Sequence, residues 1–594
     1  MSEFVPSHGF VRFAAFEVDL RGGEVRKHGI RIKLQVQPFQ VLQILLEHAG
    51  QVVTREELQR RIWPADTFVD FDKGLNNAVK KLREALGDDA EKPRFIETLS
   101  KRGYRLMSSV EELAEGARTP AAPAAAVTVD SIVVLPFTSM STEPEDEFFA
   151  DGITEEIINA LTQIPQLHVV ARSSAFSFKG KYVDPRLVGE QLNVRTVLEG
   201  SVRRAGDCLR ITAQLVNAAD GFHLWSERYD REMKDVFAIQ DEIAQSIADK
   251  LKVRLARDQR QALVKAGTEN LEAYQLYVKG RALLYRRGGA IPHAAECFDL
   301  AVSLDPNYAR AWAGLADSYT TLGYYGLARP EACMPKGMEA ARRAVTLGPS
   351  LAEARAALAM ASLMGAWDKA EAEREFLRAL ELNPRYIQAR DWYALFYLQF
   401  SEGRLSEGVT QAKLAADSDP LSSYAHTVLG FTYNLAGKYD YGVKECERGV
   451  ELDSESYFAR GGLLVALHLS GRFEDAVAVG ELALAMSGRH SWSMAVLAVT
   501  LADSGRPADA DAVYAEMLAR ARRQYAPPAV LAVAASAAAR EDEAIRHAHD
   551  AFEARDPACQ IYFSRHFPYS ARLYTYPRFR EVVAAMGRSE WLRD

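Results

Sequence analysis

The chain predicts a multidomain, mainly α-helical protein, with a small α+β domain first, a central α/β module next and a long helical-repeat solenoid last. Three observations carry that prediction. Its 594 residues exceed what one core can bury and fit roughly three to five domains. Strands and helices alternate from Ser131 onward, whereas from about Glu272 a helical pattern with a 34-residue period takes over. The composition, 48% hydrophobic and 26% charged, is that of a globular protein and points to neither a disordered nor a fibrous class.

The five cysteines (Cys208, Cys297, Cys333, Cys446 and Cys559) lack close pairs or metal-type spacing. They predict a reducing interior with buried free thiols, no disulfide framework and no metal site. The segment MSEFVPSHGF has no basic region leading into an apolar run, and nowhere do about eighteen uncharged apolar residues stand together. The expectation is a cytoplasmic chain with no membrane contact. Residues 1–110 hold 18 Lys and Arg against 15 Asp and Glu, a balance of +3, so the net −8 leaves −11 for the rest. The front domain alone leans basic, and with so small a surplus the position of the basic residues matters more than their number.

Taken in order, Val11 to Lys33 carries short alternating apolar runs broken at Arg21, Gly22, Gly23 and at His28, Gly29, a small strand meander. Gln37 to His48 places Phe39, Leu42, Leu45 and Leu46 on one helical face and stops at Ala49, Gly50. The next helix starts in VVTREELQRRIW, where Thr54 is the N-cap, Glu57 closes a capping box, and Val53 with Leu58 can form the hydrophobic staple. A third helix runs from about Lys73 to Leu86. At about 100° per residue, Leu75, Val79, Leu82 and Leu86 share one direction, while Lys73, Asn76, Asn77, Lys80, Lys81, Arg83 and Glu84 cover the other side. A solvated charged face is the usual explanation for such a run. The basic hairpin that follows, FIETLSKRGYRL with Lys101 and Arg102 at a turn closed by Gly103, then Tyr104 and Arg105, adds a wing suited to a phosphate backbone or a minor groove.

The strand order, the block QPFQVLQILLEHAGQVVTREELQRRIW, the helix LNNAVKKLREALGD and the wing ETLSKRGYRL resemble the winged-helix effector domain of OmpR/PhoB-type transcription regulators, in particular the CadC-like branch. The resemblance covers about 100 residues. It implies that Asn76, Asn77, Lys80 and Lys81 face base edges and nearby phosphates, that Arg83 sits near a phosphate, and that Arg102 is the wing arginine, with Lys73, Lys101 and Tyr104 beside them. Asn can pair with adenine at two points and Lys with guanine acceptors, while the other contacts position the duplex. Two departures stand out. The winged helix opens the chain, where a two-component regulator carries a receiver domain first. Residues 110–130 then read as an Ala/Pro linker, where CadC-like proteins have a membrane span.

From Ser131 to about residue 256, SIVVLPF reads as a buried strand, EFFADGITEEIINALTQI as a helix and LHVVARS as a strand. A helix near Val183 to Leu192 follows, then the strands TVLEGSVRRAGD and CLRITAQLVNAADG joined at Ala205, Gly206, Asp207, and finally the helix DVFAIQDEIAQSIADKL. FFADGITEEI, VLEGSVRR and HLWSERYDR resemble the TolB-amino-terminal-like module, which implies a sensing or coupling role. Little here suggests chemistry. Asp151, Glu155 and Glu156 read as carboxylates at the start of a helix, offsetting its dipole. His168 and His223 have no Cys, Ser or carboxylate partner nearby in sequence, and Gly152, Gly180 and Gly189 form no phosphate cradle. The expectation is a protein that is not an enzyme and needs no cofactor.

Gly403, Gly437, Gly471 and Gly505 are spaced by 34 residues, each followed by Arg or Lys, with Gly408, Gly442, Ala476 and Ala510 five residues beyond. That period is the tetratricopeptide signature. Glycine allows the tight turn between paired helices, and Asp305–Pro306, Asn383–Pro384 and Asp419–Pro420 separate one repeat from the next. About eight units fill residues 270–594, one lengthened after Gly323, and YTYPRFREVVAAMG resembles the usual end of such arrays. In this family a concave peptide groove is lined by positions 2, 5, 9 and 12 of each first helix, which nominates Asp317, Asp391, Tyr424, Phe431, Asn434, His468 and Trp492. Aromatic residues at that spacing also serve as core between repeats.

The domain plan is therefore a winged helix over 1–109, a linker over 110–130, a TolB-like α/β module over 131–256 and the repeat solenoid over 270–594. It predicts a soluble transcription regulator, with double-stranded DNA as one partner and a protein or peptide signal as another, and it leaves open whether a dimer forms on DNA with two copies on tandem half-sites. Two alternatives stand beside it: an output protein of a phosphorelay, and an interaction scaffold whose winged helix touches protein and not DNA.

Overall fold

The computed structural model describes residues 10–592 except 15, 21–23, 28–29, 33, 35, 63–70, 87, 89–92, 100–101, 109, 113–130, 142–143, 163, 165–166, 182, 207, 233–235 and 252–266. The chain forms two compact units, Met1–Thr128 and Val129–Asp594.

In the first unit β1 (Phe10–Phe13), β2 (Phe16–Asp19), β3 (Glu24–Lys27) and β4 (Ile30–Ile32) form an antiparallel meander. Helices α1 (Val36–Glu47), α2 (Arg55–Ile62) and α3 (Phe71–Leu86) follow, with β5 (Val52–Thr54) entering α2. The hairpin β6 (Ile96–Leu99) and β7 (Gly103–Leu106) pairs with β5, and β8 (Val110–Glu112) closes the meander against β1. The expected linker thus begins three residues too early, because Val110–Glu112 is a strand of this domain. Alternation in the meander puts Val11, Phe13, Phe16, Val18 and Val25 inside, where they meet Leu42, Leu45 and Leu46 of α1 and Leu75, Val79, Leu82 and Leu86 of α3. Phe13 and Phe16 stack at 5.0 Å, and Phe95 meets Phe16 edge-on at 5.4 Å.

The second unit opens with a six-stranded sheet. Parallel β11 (His168–Val169), β9 (Ser131–Val134) and β12 (Thr196–Ala205) run beside antiparallel β13 (Cys208–Asn217) and β14 (His223–Glu232), with β10 (Thr138–Ser139) also on β12. Its helices are α4 (Pro144–Thr162), α5 (Arg172–Phe176), α6 (Pro185–Leu192) and α7 (Val236–Lys250). Eight antiparallel helix pairs follow, from Leu271–Arg286 with Ile291–Leu304 to Pro528–Ala537 with Glu541–Glu553, and short helices from Cys559 to Leu592 cap them. Gly403, Gly437, Gly471 and Gly505 all have φ between +66° and +80°, the left-handed turn that the 34-residue spacing predicted. Cys297, Cys333, Cys446 and Cys559 are buried, but Cys208, first in an outer-facing alternation of β13, is exposed. No described helix is long and apolar enough to cross a membrane.

One core runs without a break from the sheet into the repeats. Gly152 of α4 lies so close to the array's first helix that a Cβ there would stand 2.5 Å from both methyls of Val278. Asp151, Glu155 and Glu156 are not at a helix start, because α4 begins at Pro144. They lie in its middle, buried, as anchors. Glu155 takes Arg172 at 2.9 Å and Arg281 of the array at 3.4 Å, Glu156 takes Arg310 at 2.5 Å, and Asp151 takes Lys179 at 2.6 Å. Burial pushes the Glu155 carboxyl up, but the guanidinium groups of Arg172 and Arg281 together hold it below its ordinary value. Ser174 in α5 donates its N–H (2.9 Å) and Oγ (2.5 Å) to Asp419, and its Oγ accepts from Leu421 N–H at 2.9 Å.

Candidate nucleic-acid interface

The local sequence places this surface in three steps. Thr54 Oγ1 accepts the Glu57 N–H at 3.2 Å, which starts α2, while Val53 and Leu58 are both buried around that cap. The Glu57 carboxylate lies 3.5 Å from Nε2 of His48, in the turn just past α1. Asp88, just past α3, then gathers the N–H groups of Arg94, Phe95 and Ile96 at 2.6, 3.3 and 2.8 Å and sets the chain into β6. Gly103 ends the hairpin turn at φ +155°, where a Cβ would fall 1.9 Å from the Val53 carbonyl oxygen, so only glycine lets β7 close on β5.

On α3 the packed face is the expected one, and Asn76, Asn77 and Lys80 are exposed with Lys81 half-buried. Arg102 is exposed at the hairpin turn. The side chain of Lys73 and the whole of Lys101 lie outside the described residues. Two residues expected on the surface are inside instead. Arg83 is buried and donates to the Ile96 carbonyl at 2.6 Å and to Thr98 Oγ1 at 2.8 Å, so its guanidinium ties α3 to β6 and does not reach for a phosphate. Tyr104 has its ring buried, and its hydroxyl donates to Asn76 Oδ1 at 3.0 Å. Arg55, which no pattern in the sequence singled out, donates to Tyr104 Oη at 3.0 Å and to Asn76 Oδ1 at 2.9 Å. What the arrangement can do is present amide and ammonium donors from one helix face, beside an arginine at a hairpin turn, to a ligand rich in acceptors and negative charge.

The positions nominated along the array lie mostly inside it. Asp317, Asp391, Phe431, Asn434 and His468 are buried, and Tyr424 and Trp492 are half-buried. Asn434 fits against Gly442, where a Cβ would stand 1.8 Å from its Oδ1. His468 bonds Thr500 Oγ1 at 3.0 Å and packs on Tyr569 at 4.8 Å. Burial pushes the Asp317 carboxyl up to about 7. The array coils tightly enough for its cap to meet its third and fourth helix pairs. Ser564 Oγ donates to the Phe400 carbonyl at 2.5 Å, Trp591 Nε1 to the Ser401 carbonyl at 3.1 Å, and Lys369 pairs with Glu590 at 2.8 Å. Among the described residues the array holds a partly open pocket of about 80 Å³, whose walls include Tyr324, Phe396, Tyr424, Phe431, Trp492 and Phe567. Three of the seven nominated residues, Tyr424, Phe431 and Trp492, belong to that wall.

The chain is similar to several known proteins. It is 44% identical over 187 residues to a candidate adenylate cyclase 3 of Rhizobium meliloti (strain 1021), a stretch that covers 31% of this chain and 32% of that relative. With transcriptional regulator HilA of Salmonella typhimurium it shares 23% identity over 439 residues, 72% of this chain and 73% of HilA. With the cholera toxin homolog transcriptional activator of Vibrio parahaemolyticus it shares 35% over 82 residues, 14% of this chain and 28% of that protein. The interface itself falls in a matched family domain: residues 29–106 match the model described as "Transcriptional regulatory protein, C terminal".

Proposed function

We propose that this chain is a DNA-binding transcription regulator, in which the N-terminal winged helix reads promoter DNA and the helical array receives a protein or peptide signal. One observation carries the reading. Within the stretch that matches the regulatory-domain family, α3 turns Asn76, Asn77 and Lys80 outward from a fully packed opposite face, with Arg102 at the hairpin turn. A helix of that kind fits the major groove, and a basic turn suits the neighbouring backbone. The aromatic pocket of the array, which Tyr424, Phe431 and Trp492 help to line, supports the receiving role as a seat for one apolar side chain of that signal. The α/β module, fixed to the first repeats through Glu155, Glu156 and Ser174, would pass a change in the array onward as one body. Regulation then proceeds by binding, without bond chemistry.

The test is binding of the full chain to fragments of genomic DNA across a salt series. Specific, salt-sensitive retention is expected, and neutralising Lys80, Lys81 and Arg102 together to Gln lowers the slope of log K against log salt by about three. Specific binding that survives the triple change intact would show that this face does not read DNA.

A further inference from the structure

Asn76 is held so that only half of its amide can reach a base. Its Oδ1 accepts from Arg55 Nη2 at 2.9 Å and from the Tyr104 hydroxyl at 3.0 Å, and Arg55 Nη1 in turn donates to that hydroxyl at 3.0 Å. A guanidinium has donors only, so the amide atom facing Arg55 must be the oxygen. An amide oxygen has two lone pairs, and both are taken. The clamp is firmly seated, because the Tyr104 ring is buried with the Arg55 guanidinium 5.7 Å from its centroid. The Asn76 side chain itself is exposed, and its two Nδ2 hydrogens are what it presents.

We propose that Asn76 is a donor-only specificity residue that selects guanine over adenine at the base pair it faces. The proposal rests on the DNA-binding reading above. In the major groove guanine shows two acceptors, N7 and O6, whereas adenine shows the N7 acceptor beside the N6 amino donor. The two-point contact between asparagine and adenine needs the amide oxygen to accept from N6, and here that oxygen is committed to Arg55 and Tyr104. Directed at guanine, the Nδ2 group meets acceptors alone; at adenine it meets N7 next to a group of its own kind. The expectation of a bidentate adenine contact, which the residue type alone suggests, is thereby reversed.

The experiment selects duplexes from a randomised library with the full chain, then repeats the selection with Asn76→Asp and Tyr104→Phe. Asn76→Asp keeps an oxygen for Arg55 and Tyr104 and turns the outward atom from donor to acceptor, so the internal clamp survives. One guanine preference is expected to vanish in Asn76→Asp, and 7-deazaguanine at that position is expected to weaken the unaltered chain roughly ten-fold. Tyr104→Phe, which frees one lone pair, is expected to admit adenine there. An unchanged profile in Asn76→Asp overturns the proposal. So does a lost preference for adenine that also depends on its N6 amine. If the unaltered chain retains no duplex at any salt, the DNA-binding reading fails, and this inference with it.

Discussion

Arg83 and Lys80 stand one turn apart on α3, carry the same charge, and act in opposite places. Arg83 is inside, with two hydrogen bonds to β6, so Arg83→Ala leaves the Ile96 carbonyl and Thr98 hydroxyl short of a donor and should cost the first unit about 1–3 kcal/mol. Lys80 is exposed, so Lys80→Ala should shift stability by no more than about 0.5 kcal/mol while lowering the salt slope of DNA binding by about one. Thermal melting and a salt titration on both variants check this, and equal stability losses would contradict it. The helical wheel contained part of the answer. Measured from Leu75, Arg83 lies at about 80° and Asn76 at about 100°, at the rim of the apolar arc, while Lys80 lies at about 140°. A rim residue can turn inward if a partner waits there, and the partners of Arg83 and Asn76 come from β6, α2 and β7, which no periodicity within α3 can indicate.

Among the elements, α4 shows how burial ranks ion pairs. Glu147 at its solvent side holds Lys179 at 2.7 Å with most of its side chain in water, whereas Glu155, two turns on, is buried between Arg172 and Arg281. Removing an exposed partner costs roughly 0–1 kcal/mol, and removing a buried one strands charge in a dry place at roughly 3–5 kcal/mol. Glu155→Ala is therefore expected to loosen the α/β module from the first repeats, raising proteolytic cleavage within residues 131–250 and lowering the melting temperature. Glu147→Ala should change neither, and equal behaviour of the two would refute the ranking. The strands and helices of this module were legible because VVLPF, VLEGSV and the pattern of DVFAIQDEIAQSIADKL are local signals. Its docking was not, since Glu155 meets Arg281 at a separation of 126 residues and Ser174 meets Asp419 at 245. The short strand β8 was hidden for a similar reason, because Val110, Glu111 and Glu112 have little strand character until β1 offers them an edge.

At the scale of the whole second unit, an open solenoid and a closed coil make different predictions from the same repeats. In an open array each repeat feels only its neighbours, so damage to the last helices stays at that end. Here Trp591 is buried in the cap, donates to the Ser401 carbonyl 190 residues away, and lies beside Arg588, which also reaches Ser401 Oγ at 3.3 Å. Trp591→Ala should cost about 3–5 kcal/mol through the cavity and the lost bond. Because the cap leans on Phe400 and Ser401, that loss should spread to the fourth helix pair and not stop at the eighth. Hydrogen exchange is the measurement: amides around residues 393–405 are expected to lose protection together with those beyond residue 556. Faster exchange confined to the cap would mean that the coil behaves as an open solenoid. The 34-residue period that gave the repeats cannot distinguish these cases, since closure depends on the small rotation accumulated from pair to pair.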